Sequence, residues 1–247
     1  MGTILLLATD TYFSNFISNG VSTEICFILF TLFTLTIIYA GVQNGIERVS
    51  KFMMPVLVVL SVIIAGYSIS RPGAFEGVKY FLIPNFDNFS WMTVVSAMGQ
   101  MFYSLSIAMG ILITFGSYMK KDVSIEGSTE NVEIFDTAIA IMAGLMIIPA
   151  VFSFSGGNME TLKAGPSLMF ITIPKVFASM GLGTGIGIIF FLLVLFAAIT
   201  SSIALTESAV STFQDELHWS RKKSTIILSI ILHTNFSPLL KENCLLI

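Results

Sequence analysis

Charged residues are clustered along this chain, and between the clusters lie runs of apolar residues long enough to cross a bilayer. A helix crossing a hydrocarbon core of about 30 Å needs about 20 of them. Ile25 to Ile46 carries no charge and ends at Glu47 and Arg48. Phe52 to Ser70 follows, with Pro55 expected in its first turn, where a missing N–H is harmless. Asn88 to Met119 is a longer uncharged run, Thr137 to Asn158 another with Asp136 at its edge and Pro149 inside, and Val176 to Thr206 opens on the glycine cluster Gly181–Gly187. A last apolar stretch, Ser224 to Leu232, is expected to be interrupted by His233, Asn235 and Pro238. The pattern predicts an all-α polytopic membrane protein: an external segment over 1–21, a transmembrane core over 22–217, and a truncated last span with an atypical tail over 218–247. The spans fall at about 22–41, 52–70, 89–119, 137–157 and 177–213. The stretch 158–175 is too polar to span and too apolar for a free loop, which suggests an external lid.

Two runs exceed what a crossing needs. As one helix, Asn88 to Met119 would be about 48 Å long, more than ordinary tilt absorbs. The alternative is a break, and freed backbone inside a bilayer has to be satisfied by protein or by a water-lined cavity. Within "GQMFYSLSIAMG" (99–110), Ser104, Ser106 and Gly110 make a break less costly. Close helix packing by the same small residues is the other reading. In the second long run Ala197, Thr200 and Ser201 share one helical face. They offer either a small-residue helix contact or oxygen donors for a hard cation.

Composition sharpens the setting. The chain is 55% hydrophobic and 11% charged with a mean hydropathy of +0.88, against roughly 25% charged residues in a soluble domain. The net charge of -3 and pI near 5.3 leave no basic stripe for nucleic acid. Cys26 and Cys244 lack metal-site spacing, and the N-terminus has no positive region before a short apolar core, which makes a poor signal peptide. Arg48, Lys51, Lys120, Lys121, Arg221, Lys222 and Lys223 fall on one side of the spans and Arg71, Lys79, Lys163 and Lys175 on the other, which places the first set in the cytoplasm. Two acids stand out. Asp136 at a span edge is either a surface residue or a partnered one; Glu207 either snorkels to the inner interface or lines a cytoplasmic water path. No H-E-x-x-H or G-x-S-x-G motif supports an enzyme, and no ring of like charges or carbonyls suggests a channel.

Five ordered stretches, "GVQNGIERVSKFMMP" (41–55), "GQMFYSLSIAMG" (99–110), "ITIPKVF" (171–177), "FAAITSSIA" (196–204) and "QDELHWSRK" (214–222), together resemble the neurotransmitter:sodium symporters, with the bacterial amino-acid members nearest. The resemblance implies part of a leucine-transporter-like, inverted-repeat fold: an external loop, helices four to eight and part of nine, in a cell membrane, such as that of a bacterium. Residues 89–119 would then contain the broken sixth helix. It implies sodium-coupled transport of an amino acid. Ser104 matches a first-sodium-site ligand that also faces the substrate, and Asp136 a position at that sodium site; Tyr103 matches an aromatic that covers the substrate; Ser106 and Met109 match pocket residues. Ala197, by its carbonyl, with the hydroxyls of Thr200 and Ser201, matches the second sodium site. Ser201 and Leu205 would also face substrate. Asp215 matches the inner-gate aspartate and Tyr118 its neighbour. Gln100 and Ser104 match chloride positions of animal relatives, and Asp136 lies where its carboxylate supplies the charge that chloride supplies there, so chloride is expected not to be required. Family helices one, two, most of three, and ten onward have no counterpart, and Phe236–Ile247 departs from the family pattern. The expectation is a fragment not competent alone, completed by a missing half or a homo-oligomer, or else a non-transporting scaffold or regulatory fragment.

Overall fold

The computed structural model describes residues 10–156, 168–179 and 183–241. Most of the expected lid, the first nine residues and Cys244 lie outside them. Among the described residues there is no strand, in keeping with the all-α expectation. The helices are α1 (Asp10–Ser18), α2 (Gly20–Tyr39), α3 (Arg48–Ile69), α4 (Ala74–Leu82), α5 (Trp91–Ser104), α6 (Ile111–Ser117), α7 (Ile125–Ser155), α8 (Ile173–Ser179), α9 (Gly183–Leu217) and α10 (Arg221–Lys241). Four helical stretches are long and apolar enough to cross a membrane: α2, the stretch Val42–Ile69, α7 and α9. The chain is a multi-pass membrane protein.

Local chemistry starts these helices. The Asn19 side chain accepts from the Ser22 amide at 3.2 Å to cap α2. Ser90 and Thr93 exchange side-chain-to-backbone hydrogen bonds in a capping box at α5, and Ser124 accepts from the Gly127 amide at α7. Each satisfies an amide that the first turn leaves free.

The structure departs from the sequence reading in three places. A π-turn over Val42–Glu47 leads straight into α3, so Pro55 sits inside the helix rather than in its first turn. The N–H it lacks leaves an internal carbonyl without its helical donor. α7 begins well before the predicted span, and Asp136 is an interior helix residue. α10 continues past His233, Asn235 and Pro238 to Lys241. There Thr234 and Asn235 donate their side chains to the Ile230 and Ile231 carbonyls at 2.9 and 2.7 Å, so these polar residues are satisfied within the helix instead of ending it.

Packing forms two clusters. One joins Ile64 and Ala65 of α3, Met146 and Val151 of α7, Val176 and Phe177 of α8, and Phe190 of α9. The other joins Ile38 of α2, Ile46 and Met53 around the start of α3, Ile199, Ile203 and Val210 of α9, and Leu228 of α10. α9 belongs to both. Lipid tails are as apolar as these side chains, so close packing and interhelical hydrogen bonds replace the hydrophobic drive. Ser68, fully buried on α3, donates to the Met146 carbonyl of α7 at 2.8 Å. Gly77 lets α4 lie against α7 so closely that a Cβ there would stand 2.9 Å from the Pro149 Cα.

Candidate functional site

The run 89–119 is broken. α5 stops at Ser104, Ser106 takes the left-handed conformation (φ 56°), a single 3-10 turn covers Ile107–Met109, and Gly110 is left-handed again (φ 68°) before α6 starts. A serine held left-handed carries about 1–2 kcal/mol of strain, which a helix of ordinary residues would avoid. The turn between these two residues is held by long bonds, Met109 N–H to the Ser106 carbonyl and Gly110 N–H to the Ile107 carbonyl, both at 3.4 Å. Gly110 is required by its backbone and not by space, because a Cβ there would approach nothing nearer than the Ser208 Oγ at 3.6 Å. Gly110→Ala is therefore expected to cost about 1–2 kcal/mol of stability, seen as a lowered melting temperature in detergent. Gly66→Ala on α3, where a Cβ meets nothing within 4 Å, is the control expected to show no loss.

The break faces α9 across a cavity of about 300 Å³. All six side chains expected to face a substrate line it: Tyr103, Ser104, Ser106 and Met109 from the break, Ser201 and Leu205 from α9. Thr200 lines it too, and sequence reasoning did not include Met54, Ile111 and Ala204, which complete the walls. Met54 comes from the α3 motif that carried the resemblance, but only the fold shows that its side chain reaches the site. Its wall of thioether, aliphatic and aromatic groups, with a few hydroxyls, suits a small amphipathic molecule.

Two oxygen clusters border the cavity. On α9 the Thr200 hydroxyl donates to the Phe196 and Ala197 carbonyls at 3.1 and 3.0 Å. The Ala197 carbonyl and the Thr200 hydroxyl are thus side by side, and Ser201 is the next residue on the cavity wall. At the end of α5 the Ser104 hydroxyl lies 2.6 and 2.7 Å from the two Asp136 carboxylate oxygens of α7, donating to the carboxylate. An acid inside a membrane helix needs a partner, and Ser104 is that partner. Gln100 lies four residues before Ser104, on the same face of α5, and makes no side-chain hydrogen bond among the described residues. Hydroxyl, carbonyl and carboxylate oxygens suit a hard cation rather than a soft metal; among the described residues no three His, Cys, Asp or Glu are grouped so that they could hold a metal ion.

The two residues expected at the inner gate, Tyr118 and Asp215, make separate contacts. Tyr118 at the end of α6 donates its hydroxyl to Glu207 Oε1 at 2.7 Å. Asp215 accepts only a long bond from the Ser211 hydroxyl, at 3.4 Å, among the described residues. Glu207 neither snorkels nor faces water: it is fully buried, and Arg221 at the start of α10 grips both its oxygens at 2.9 and 2.5 Å. Arg221 also donates Nε–H to the Ile38 carbonyl of α2 at 2.9 Å. Sequence reasoning counted Arg221 only as a cytoplasmic charge. The missed signal was that a carboxylate one helix turn past an apolar run, followed by a basic cluster across a short turn, needs a buried cation.

Residues 12–241 match the Sodium:neurotransmitter symporter family. An uncharacterized sodium-dependent transporter of Bacillus subtilis, YhdH, is 36% identical over 85% of this chain and 46% of its own length. An uncharacterized sodium-dependent transporter of Haemophilus influenzae is 34% identical over 87% of this chain and 47% of its own. The crystal structure of MhsT in complex with L-phenylalanine superposes with a TM-score of 0.77 at 37% identity, covering 93% of this chain and 52% of MhsT. The chain spans about half the length of these relatives.

Proposed function

Because this chain belongs to the Sodium:neurotransmitter symporter family, we propose that it forms one wall of the substrate and cation sites of a sodium-coupled amino-acid symporter. The observation that carries this reading is the convergence on one cavity of Tyr103, Ser104, Ser106, Met109, Ser201 and Leu205 with the oxygens of Thr200. The substrate is a neutral amino acid with a bulky apolar side chain. Its backbone polar groups take the serine hydroxyls and the carbonyls left free where α5 ends, and its side chain lies against Met109, Leu205 and Met54. The L-phenylalanine in the MhsT structure is of this kind.

Two sodium positions follow from the oxygen clusters. One uses Ser104 with Asp136, the other the Ala197 carbonyl with Thr200 and Ser201. Sodium bound between α9 and the break steadies the break, and so assembles the pocket that the amino acid fills. The membrane potential then favours inward passage, each coupled charge being worth about 2.3 kcal/mol per 100 mV. Asp136 places a fixed negative charge beside Ser104 and so removes the need for chloride at Gln100 and Ser104. Tyr118 and Asp215 lie on the inner side of the path.

The test is L-phenylalanine binding and uptake by the chain in proteoliposomes, with sodium or choline as the cation and chloride or gluconate as the anion. Binding is expected to need sodium, to ignore chloride, and to weaken on Asp136→Asn. In a full-length relative Asp136→Ser is expected to create a chloride requirement. Equal binding in sodium and choline would overturn the proposal, and an Asp136→Ser protein indifferent to chloride would overturn the charge role. A scaffold or regulatory fragment would bind L-phenylalanine without accumulating it.

A further inference from the structure

We propose that Ser208 is a positioning residue, fixing the inner lip of the helix break and with it the Met109 wall of the cavity. The observation is a pair of hydrogen bonds that no helix of its own provides. Ser208, on α9, donates its hydroxyl to the Met109 carbonyl at 3.3 Å and accepts from the Thr114 hydroxyl of α6 at 3.4 Å. The same side chain thus holds the last residue of the 3-10 turn and the first full turn of the helix that follows. Thr114 is buried, and its amide in turn donates to the Gly110 carbonyl at 3.0 Å.

The turn needs such an anchor. Left-handed residues flank it on both sides and its own two backbone bonds are long, so the two Ser208 bonds, of similar length, double the number of ties that hold it. α5 buries none of its residues, and α6 buries only Ile111 and Thr114. α9 is the principal packing partner of α6. Ser201, Leu205 and Ser208 follow at i, i+4 and i+7, on one face of α9. The first two line the cavity and the third lies one turn below, beside Gly110. Holding the Met109 carbonyl fixes where the Met109 side chain stands, and that side chain is part of the wall against which a bulky apolar substrate would rest. Ser208 touches neither the cavity nor a cation cluster; it acts through Met109.

The inference deepens the transport reading and rests on it for its substrate effect, but its structural half stands alone. Amide hydrogen exchange by mass spectrometry on the full chain in nanodiscs, over peptides covering residues 105–114, tests that half. Ser208→Ala is expected to speed exchange there roughly twofold, the loss of a long hydrogen bond at the weak end of the usual range, with no change in α7. Ser208→Thr, which keeps the hydroxyl, is expected to restore the wild-type rate. In the binding assay, Ser208→Ala is expected to weaken L-phenylalanine several-fold more than L-alanine, because the loosened wall matters to the larger side chain.

Unchanged exchange in Ser208→Ala would overturn the proposal. So would failure of Ser208→Thr to restore the rate, and so would an equal loss for both amino acids. Faster exchange reversed by threonine, in a protein that binds neither amino acid, would uphold the anchor and refute the transport reading instead.

Discussion

Replacing Arg221 with alanine is expected to destabilise the protein by about 3–5 kcal/mol, the largest effect of any single substitution considered. Glu207 has no exposed surface, and its carboxylate is held by three donors, two from the Arg221 guanidinium and one from Tyr118. Alanine would leave one phenol to support a buried charge. Arg221→Lys keeps the charge but loses the planar fork that reaches both oxygens and the Ile38 carbonyl together, and should fall between the two. The double replacement Glu207→Leu with Arg221→Met is expected to recover most of the loss, since removing a whole buried pair costs less than orphaning half of it. Thermal and denaturant unfolding of wild type and these three variants checks the ranking. An Arg221→Ala protein within about 1 kcal/mol of wild type, the range of an exposed pair, would show that Glu207 gains water or another partner. The pair also ties three helices: α9 by Glu207, α10 by Arg221 and α2 through the Ile38 carbonyl, with α6 reached by Tyr118.

The second large effect is steric. Gly77→Leu is expected to cost about 1–3 kcal/mol, at the upper end because the obstruction is backbone. A Cβ at residue 77 stands 2.9 Å from the Pro149 Cα and 3.0 Å from the Phe152 Cβ. Neither atom can rotate away, so α4 must lift from α7. The Tyr80–Phe152 ring contact, with centroids 5.3 Å apart, would open with it. Gly77→Ala should show a smaller loss of the same kind. A melting temperature for Gly77→Leu equal to that of wild type would mean that α4 does not pack on α7 in the membrane.

Length and composition left the break as one of two readings, a charge-free run too long for one crossing with Ser104, Ser106 and Gly110 inside it, and the resemblance favoured it over close packing. Periodicity could not locate which residue turns left-handed; Ser106 does so although serine is no strong signal for it. Asp136 was legible as an expensive acid, and its partner followed from the resemblance more than from spacing, since Ser104 lies 32 residues away. The Glu207–Arg221 pair was hidden for a different reason. Apolar patterning reports how far a residue lies along its own helix, whereas the pairing depends on how α10 folds back beside α9 and α2. The π-turn before α3 was equally silent, because no residue type marks the extra residue that an i to i+5 turn inserts. The continuation of α10 ran against a correct tendency: His, Asn and Pro disfavour a membrane helix, yet the helix runs on, with the Thr234 and Asn235 side chains bonded to carbonyls of the preceding turn.

α9 is 35 residues long and is glued to two separate islands of packed side chains, one at Ile186, Phe190 and Leu193 and the other at Ile199, Ile203 and Val210. Its cavity-lining hydroxyls, Thr200 and Ser201, sit between Ile199 and Ile203 of the second cluster. The contacts that fasten α2 and α10 to α9 therefore also hold those donors in register.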